Sequence, residues 1–256
     1  MTKPHIYWIH GYGTSSEVWK EVVSELTEYD HSFVNFQSCY TVEDFHKVVR
    51  DDIHRLLESI QPANLHVIGW SMGGMLGMET LAHDDLSGLA GRLGSLTLVA
   101  STLQFVTPNR EQGWPRRVVE RMRKKMAEEP DGTVEAFQAS LFTDEERTQY
   151  MERHQDGHTH TIRHDFTESG LVEGLQYLLD TDLREEWIKL MQEQVNLYWI
   201  HGTEDEVCPV GAVPSNLSAE QVAFIAKAGH MPFHSQQHLF LTILRRRLGY
   251  GNNASD

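Results

Sequence analysis

The sequence predicts an α/β fold: a mostly parallel sheet with helices on both faces and an inserted helical cap. Three observations lead there. Short apolar runs separated by helical stretches lack the polar–apolar alternation of a half-exposed strand, which is the pattern of a parallel sheet covered on both faces. The ten residues Leu65-His-Val-Ile-Gly-Trp-Ser-Met-Gly-Gly74 read as strand, sharp turn and helix, with Ser71 at the turn. From about Thr102 to Leu190 strand-like runs give way to charged helical stretches. The chain therefore divides into a core formed by 1–101 and 191–256 and a cap formed by 102–190.

The elements follow in order. His5-Ile-Tyr-Trp-Ile-His10 is β-branched and aromatic, as a buried strand would be, and ends in Gly11-Tyr-Gly13. Thr14, Ser15 or Ser16 caps a helix carrying Val18, Trp19, Val22, Val23 and Leu26 at helical spacing. Ser32–Gln37 reads as a second strand, and Thr41–Ile60 as an amphipathic helix with Val42, Phe45, Val48, Val49, Ile53, Leu56, Leu57 and Ile60 inward. The Leu65–Trp70 strand, the Met72–His83 helix and the Ser95–Ala100 strand complete the first half. After the cap, Asn196–His201 and Gln221–Ala226 read as strands and Ser235–Leu248 as the closing helix.

Length and composition bound the function. A chain of 256 residues with 40% hydrophobic content buries one good core. Its net charge of -15 argues against a nucleic-acid binder, because phosphate contacts need clustered Lys and Arg. The two cysteines, Cys39 and Cys208, suggest free thiols in a reducing compartment rather than a disulfide scaffold. The first residues run straight into a strand without the features of a signal peptide, and no apolar run reaches the ~20 residues of a membrane span. These features predict a cytoplasmic protein.

In an open parallel sheet the ligand crevice lies beyond the carboxyl ends of the strands. Tyr12, Ser71, Asp205 and His230 all follow apolar strands, so one edge of the sheet gathers them. A serine hydroxyl needs a base within reach near neutral pH, and the base needs a carboxylate to fix its tautomer. Ser71, Asp205 and His230 supply all three, in the order the G-x-S-x-G class of hydrolytic folds uses. Glu204 and Glu206 flank the acid, and His234 and His238 compete with His230. Acyl transfer also needs backbone N–H groups for the oxyanion. Met72, just after the serine, and Tyr12, in His10-Gly-Tyr-Gly13, are the candidates. Tyr12, Trp70, Phe137 and Leu141 are the candidate substrate contacts, although the larger apolar residues fit a core role equally well.

Two other features stand out. His154, His158, His160 and His164 have no Cys among them and no H-E-x-x-H spacing, so a solvated cap segment is expected rather than a metal site. No cofactor is expected. Arg110–Lys125 is basic, with Arg116, Arg117, Arg121 and Lys124 prominent. Such a stretch is usually a solvated helix face, yet on an acidic protein it would attract an acidic partner.

Taken together, His10-Gly-Tyr-Gly13, Gly69-Trp-Ser-Met-Gly73, Gly202-Thr-Glu-Asp205 and Gly229-His230 resemble the α/β-hydrolase family over nearly the whole chain. A narrower resemblance is to the biotin-pathway carboxylesterases that hydrolyse the methyl ester of pimeloyl-acyl carrier protein. It is carried by Gly69–Gly74, Val99–Thr102, Gly113-Trp-Pro115, Gly174–Arg184 and Ala226–Phe233. The resemblance implies Ser71 as nucleophile, His230 as base and Asp205 as its orienter, with Tyr12 and Met72 donating to the oxyanion. It also implies a purpose for the basic cap, since acyl carrier proteins are acidic. The chain departs from the pattern at Asn35-Phe-Gln-Ser-Cys-Tyr40, where the family carries a glycine-rich segment. It also begins almost at its first strand, so a shortened N-terminal hairpin is expected. Two rival readings remain: a carbon–carbon bond hydrolase or menaquinone-pathway lyase of the same fold, and a non-catalytic ligand-binding protein on that scaffold.

Overall fold

The computed structural model describes residues 3–83, 86–153 and 162–249. Six strands form one parallel sheet in the order β2-β1-β3-β4-β5-β6, with β1 His5–Ile9, β2 Asp30–Phe33, β3 Leu65–Trp70, β4 Ser95–Val99, β5 Leu197–Gly202 and β6 Val222–Ile225. The chain runs outward from β1 to β2, returns to β3 on the other side of β1, and then adds strands in one direction. The carboxyl ends of β1 and β3 therefore flank the point where strand order reverses, the place where such sheets hold ligands.

The helices are laid down in two layers. α1 (Lys20–Glu25) packs near α10 (Pro232–Ser235), which continues into α11 (Gln237–Arg247). α2 (Val42–Leu57) packs on α3 (Met72–Ala82), and the short α4 (Ser87–Ala90) also touches α3. α2 shows why its sequence stops and starts where it does. Thr41 and Asp44 form a capping box, and Phe45, Val49, Ile53 and Leu56 bury one face. α3 is buried along its whole length except Glu79, as expected for a helix that is apolar all round.

Between β4 and β5 lie α5 (Arg116–Glu128), α6 (Pro130–Ala139), α7 (Asp144–Arg153), α8 (Glu168–Asp180) and α9 (Arg184–Gln192). α5 packs on both α6 and α8. α9 straddles the end of the 102–190 stretch and packs on α3, with Trp187 against Trp199 of β5 at 5.9 Å between ring centroids. It thus covers the sheet rather than the site.

Two boundaries differ from the sequence expectation. The second strand is Asp30–Phe33, not Ser32–Gln37: it pairs with His5–Trp8 at the sheet edge, and the apolar residues after it, Val34 and Phe36, are buried as an inward-facing loop. The closing helix is broken at Gln236, whose φ of -125° and ψ of 45° leave the helical region. No helix among the described residues is long and apolar enough to cross a membrane.

Candidate active site

Ser71 occupies the turn between β3 and α3 with φ 55° and ψ -124°. An L-residue in that region carries on the order of 1–3 kcal/mol of backbone strain, held in place only by its surroundings. The surroundings are well defined. Ser71 N donates to the Val99 carbonyl at 3.0 Å, and the Ser101 hydroxyl donates to the Ser71 carbonyl at 2.9 Å. Glycine is required on both sides by close approach. A Cβ on Gly69 would overlap Gly74 and the carbonyl of Gly73, and one on Gly73 would overlap the carbonyl oxygens of Ile9 and His10.

Asp205 and His230 meet. His230 Nδ1 lies 2.8 Å from Asp205 Oδ2, with both side chains buried. Asp205 Oδ1 accepts from the backbone N–H of Val207 at 2.9 Å and of Cys208 at 2.8 Å. Glu204 and Glu206 are exposed, so burial singles out Asp205 among the three neighbouring acids. Because a carboxylate only accepts, His230 Nδ1 carries the proton, and Nε2 of the neutral ring has a free lone pair. That Nε2 is buried and has no hydrogen-bond partner among the described residues.

Ser71 and His230 are not hydrogen-bonded to each other. The Ser71 side chain neighbours the Cys208 thiol. Burial above all, then Asp205, pushes that thiol well above its usual pKa, so it stays protonated. Catalytic hydrogen bonds are commonly long in ligand-free enzymes and tighten when substrate arrives. Both cysteines are free and buried, and burial raises Cys39 to about 12.

The loop after β1 is held on several sides. The Thr14 hydroxyl donates to the Gly11 carbonyl at 2.9 Å, and Gln138 Nε2 to the Gly13 carbonyl at 2.7 Å. His10 Nε2 lies 3.2 Å from Asp165 Oδ1. The Tyr12 hydroxyl donates to the Leu171 carbonyl at 2.7 Å, anchoring the loop to α8. Met72 opens α3, so its N–H is among those an α-helix leaves without an intrahelical acceptor.

The candidate substrate contacts separate into two groups. Tyr12 packs edge-on to Phe137, with 5.3 Å between centroids, and Phe137 is half-buried. Trp70 and Leu141 are almost fully buried and hold His230. The Trp70 indole N–H donates to the His230 carbonyl at 2.8 Å, and His230 N donates to the Leu141 carbonyl at 3.2 Å. A cleft of about 810 Å³ opens beside Asp205, with an acidic rim that includes Glu111, Asp144, Glu145, Glu204 and Glu206. None of Tyr12, Trp70, Phe137 and Leu141 lines it.

Three supporting residues escaped the sequence reading. Glu146 accepts from Gly229 N and from Thr143 N, both at 2.8 Å, and its own N–H donates to the Thr143 hydroxyl at 3.2 Å. The pattern Thr143-Asp-Glu-Glu146 is a capping-box signature and was legible as such; its second use, on the His230 loop, was not. His201 and Cys208 surround Asp205 and carry no sequence signal beyond their nearness to it. Among the described residues no group of three or more His, Cys, Asp or Glu is placed to hold a metal ion, and His154, His158 and His160 lie outside the described residues.

Residues 6–242 match the model of the alpha/beta hydrolase family, and the chain belongs to that family. Among curated relatives it is 24% identical to a pimeloyl-[acyl-carrier protein] methyl ester esterase from Aeromonas salmonicida, over 96% of both chains. It is 26% identical to the esterase of the same name from Shewanella oneidensis, over 94% of this chain and 89% of that one. Among solved structures, an esterase from Exiguobacterium antarcticum superposes with a TM-score of 0.73 at 16% identity, covering 96% of this chain and 92% of that one. A bromoperoxidase from Bacillus anthracis gives 0.71 at 18% identity, covering 97% and 92%. Family and relatives together make this chain a carboxylic ester hydrolase.

Proposed function

We propose that the protein is a serine esterase that cleaves a methyl ester through an acyl-enzyme on Ser71. The observation that carries this reading is the 2.8 Å contact of His230 Nδ1 with buried Asp205, which leaves Nε2 buried and without a partner on the side chain's other edge. A base oriented in this way needs a proton donor, and the Ser71 hydroxyl supplies one when bound substrate tightens the site.

His230 Nε2 takes the Ser71 proton as the oxygen attacks the ester carbonyl. The N–H groups of Tyr12 and Met72 stabilise the oxyanion, and Asp205 stabilises the imidazolium. The tetrahedral adduct collapses, the C–O bond to the alcohol breaks, and His230 gives its proton to the departing methoxide. Water then attacks the acyl-enzyme and loses a proton to His230, the bond from the acyl carbon to the Ser71 oxygen breaks, and His230 returns the proton to that oxygen as the acid leaves. Phe137 and Tyr12 contact the acyl chain in this reading. Trp70 and Leu141 position the base instead.

The acid moiety is carried by an acyl carrier protein, as the names of the curated relatives indicate for those proteins. The partner docks on the cap, α5 to α8, through the exposed basic face of α5. That face is less basic than its sequence suggests. Arg116 pairs with Asp180 at 3.0 Å, and Lys124 lies 4.0 Å from Glu128. Arg117 and Arg121 are exposed and make no ion pair among the described residues, so they carry the attraction. The substrate within this class is the methyl ester of a pimeloyl-type half-acid, and the setting is the cytoplasm.

The test combines two measurements. A fluorophosphonate probe should label Ser71 in the wild type and not in Ser71→Ala. Charge reversal at Arg117 and Arg121 should raise KM for a carrier-bound methyl ester by about tenfold and leave a free short ester unaffected. An unlabelled Ser71 would revive the ligand-binding alternative. Turnover of a diketone in preference to esters would favour the carbon–carbon hydrolase. Equal effects on both esters would remove the carrier protein as partner.

A further inference from the structure

The carboxylate of Asp205 faces two imidazoles. Besides His230 at 2.8 Å, His201 Nε2 lies 3.4 Å from the same oxygen, Oδ2. His201 Nε2 also lies 2.7 Å from the Cys208 carbonyl, and the Trp199 indole N–H donates to His201 Nδ1 at 3.1 Å. An indole nitrogen only donates, so Nδ1 must be the accepting nitrogen and the ring proton sits on Nε2. His201 is fully buried, and it extends from the end of β5 under the loop that carries Asp205.

We propose that His201 is a positioning residue for the acid–base pair: its Nε2–H, bonded to the Cys208 carbonyl, holds the Asp205–Cys208 loop with Asp205 Oδ2 close beside it, while Trp199 blocks its other nitrogen so that His230 alone takes the proton. The proposal rests on the roles given above to Ser71, Asp205 and His230. The physical problem it solves is competition. A buried carboxylate with two imidazoles could stabilise a proton on either, and only the one on His230 serves the ester.

Three features resolve the competition in favour of His230. Protonating His201 at Nδ1 would break the bond from Trp199 and leave that buried indole N–H without an acceptor, a cost of about 1–3 kcal/mol. The titratable groups facing His201 are Asp205 and His230. Burial, the largest influence, lowers the His201 pKa, Asp205 and the Cys208 carbonyl oppose this, and His230 adds to it. His230 faces Asp205 as well, and Glu146 accepts from the N–H of Gly229, the residue before it. The His201 N–H, 3.4 Å from Oδ2, also sets a positive dipole beside the carboxylate, and losing it leaves the field of Asp205 on His230 stronger.

The test is the pH dependence of fluorophosphonate labelling at Ser71 in the wild type, His201→Asn and His201→Gln. By shape, Asn replaces the Nδ1 end of the ring, which faces Trp199, and Gln the Nε2 end, which faces Cys208 and Asp205. His201→Asn should lower the plateau labelling rate by about tenfold and move the acid-side midpoint to higher pH; His201→Gln should stay within about threefold of wild type with its midpoint unmoved. An Asn variant that matches wild type overturns the proposal, and so does a Gln variant as impaired as Asn, which would signify packing alone. Should neither variant fold, ring-nitrogen NMR of the wild type decides: His201 must stay neutral with its proton on Nε2 across the pH range in which labelling falls, and titration there refutes the idea. A wild type that is not labelled at Ser71 at any pH would instead sink the esterase reading itself.

Discussion

The indole N–H of Trp70 donates to the backbone carbonyl of His230 at 2.8 Å, so the residue immediately before Ser71 holds the loop that carries the imidazole. The two rings also lie 5.4 Å apart, and Trp70 is itself wedged between Trp19 and Phe233. The turn of β3 and the loop after β6 are thus joined through a rigid aromatic side chain. Trp70→Phe keeps most of the packing and loses the donor. It should cost about 1 kcal/mol of stability and lower kcat on a p-nitrophenyl ester by about tenfold with little change in KM. Urea unfolding and steady-state kinetics measure the two effects, and an unchanged kcat would show that the bond does not position His230.

Glu146 links the cap to the same loop. Its two carboxylate oxygens divide between the helix start at Thr143 and the N–H of Gly229, with the side chain buried at 6% exposure. Glu146→Ala strands a buried N–H and removes half of a capping box, which should destabilise the fold by about 2 kcal/mol and lower kcat. Glu146→Gln retains one acceptor and should recover part of both. A stability loss with full activity in the Ala variant would mean that the cap does not hold the His230 loop through this residue.

Stability should depend on pH through His66. Burial lowers its pKa to about 4 in the folded chain, where Nδ1 lies 2.8 Å from the Ser95 hydroxyl. The unfolded chain, with an ordinary histidine value of 6.5, binds more protons between those limits. Stability is therefore full above about pH 6.5, falls as the pH drops toward 4, and levels off below, the His66 contribution being on the order of 3 kcal/mol. His201 is shifted in the same direction and adds to the slope. Urea midpoints at pH 7 and pH 5 should differ less in His66→Gln than in wild type; an equal difference would place the pH sensitivity elsewhere.

The parallel sheet and the strained turn at Ser71 were legible because each leaves a local mark. Buried strands are continuously apolar, a tight turn demands glycine where a Cβ has no room, and helix starts carry capping residues. Edges were less legible. The second strand lies two residues earlier than its apolar pattern suggests, because Val34 and Phe36 are buried by a loop and not by the sheet.

What the sequence determined by itself was the family, and with it the expectation that Ser71, Asp205 and His230 gather at one sheet edge. Only the tertiary structure showed that Asp205 is buried where Glu204 and Glu206 are exposed, that Trp70 and Leu141 bond the backbone of His230, and that His201, Cys208 and Glu146 surround Asp205 and the His230 loop. The reason is physical. Local conformation follows from side chains a few residues apart, whereas burial and hydrogen-bond partnership depend on which distant segments the packed core brings into contact.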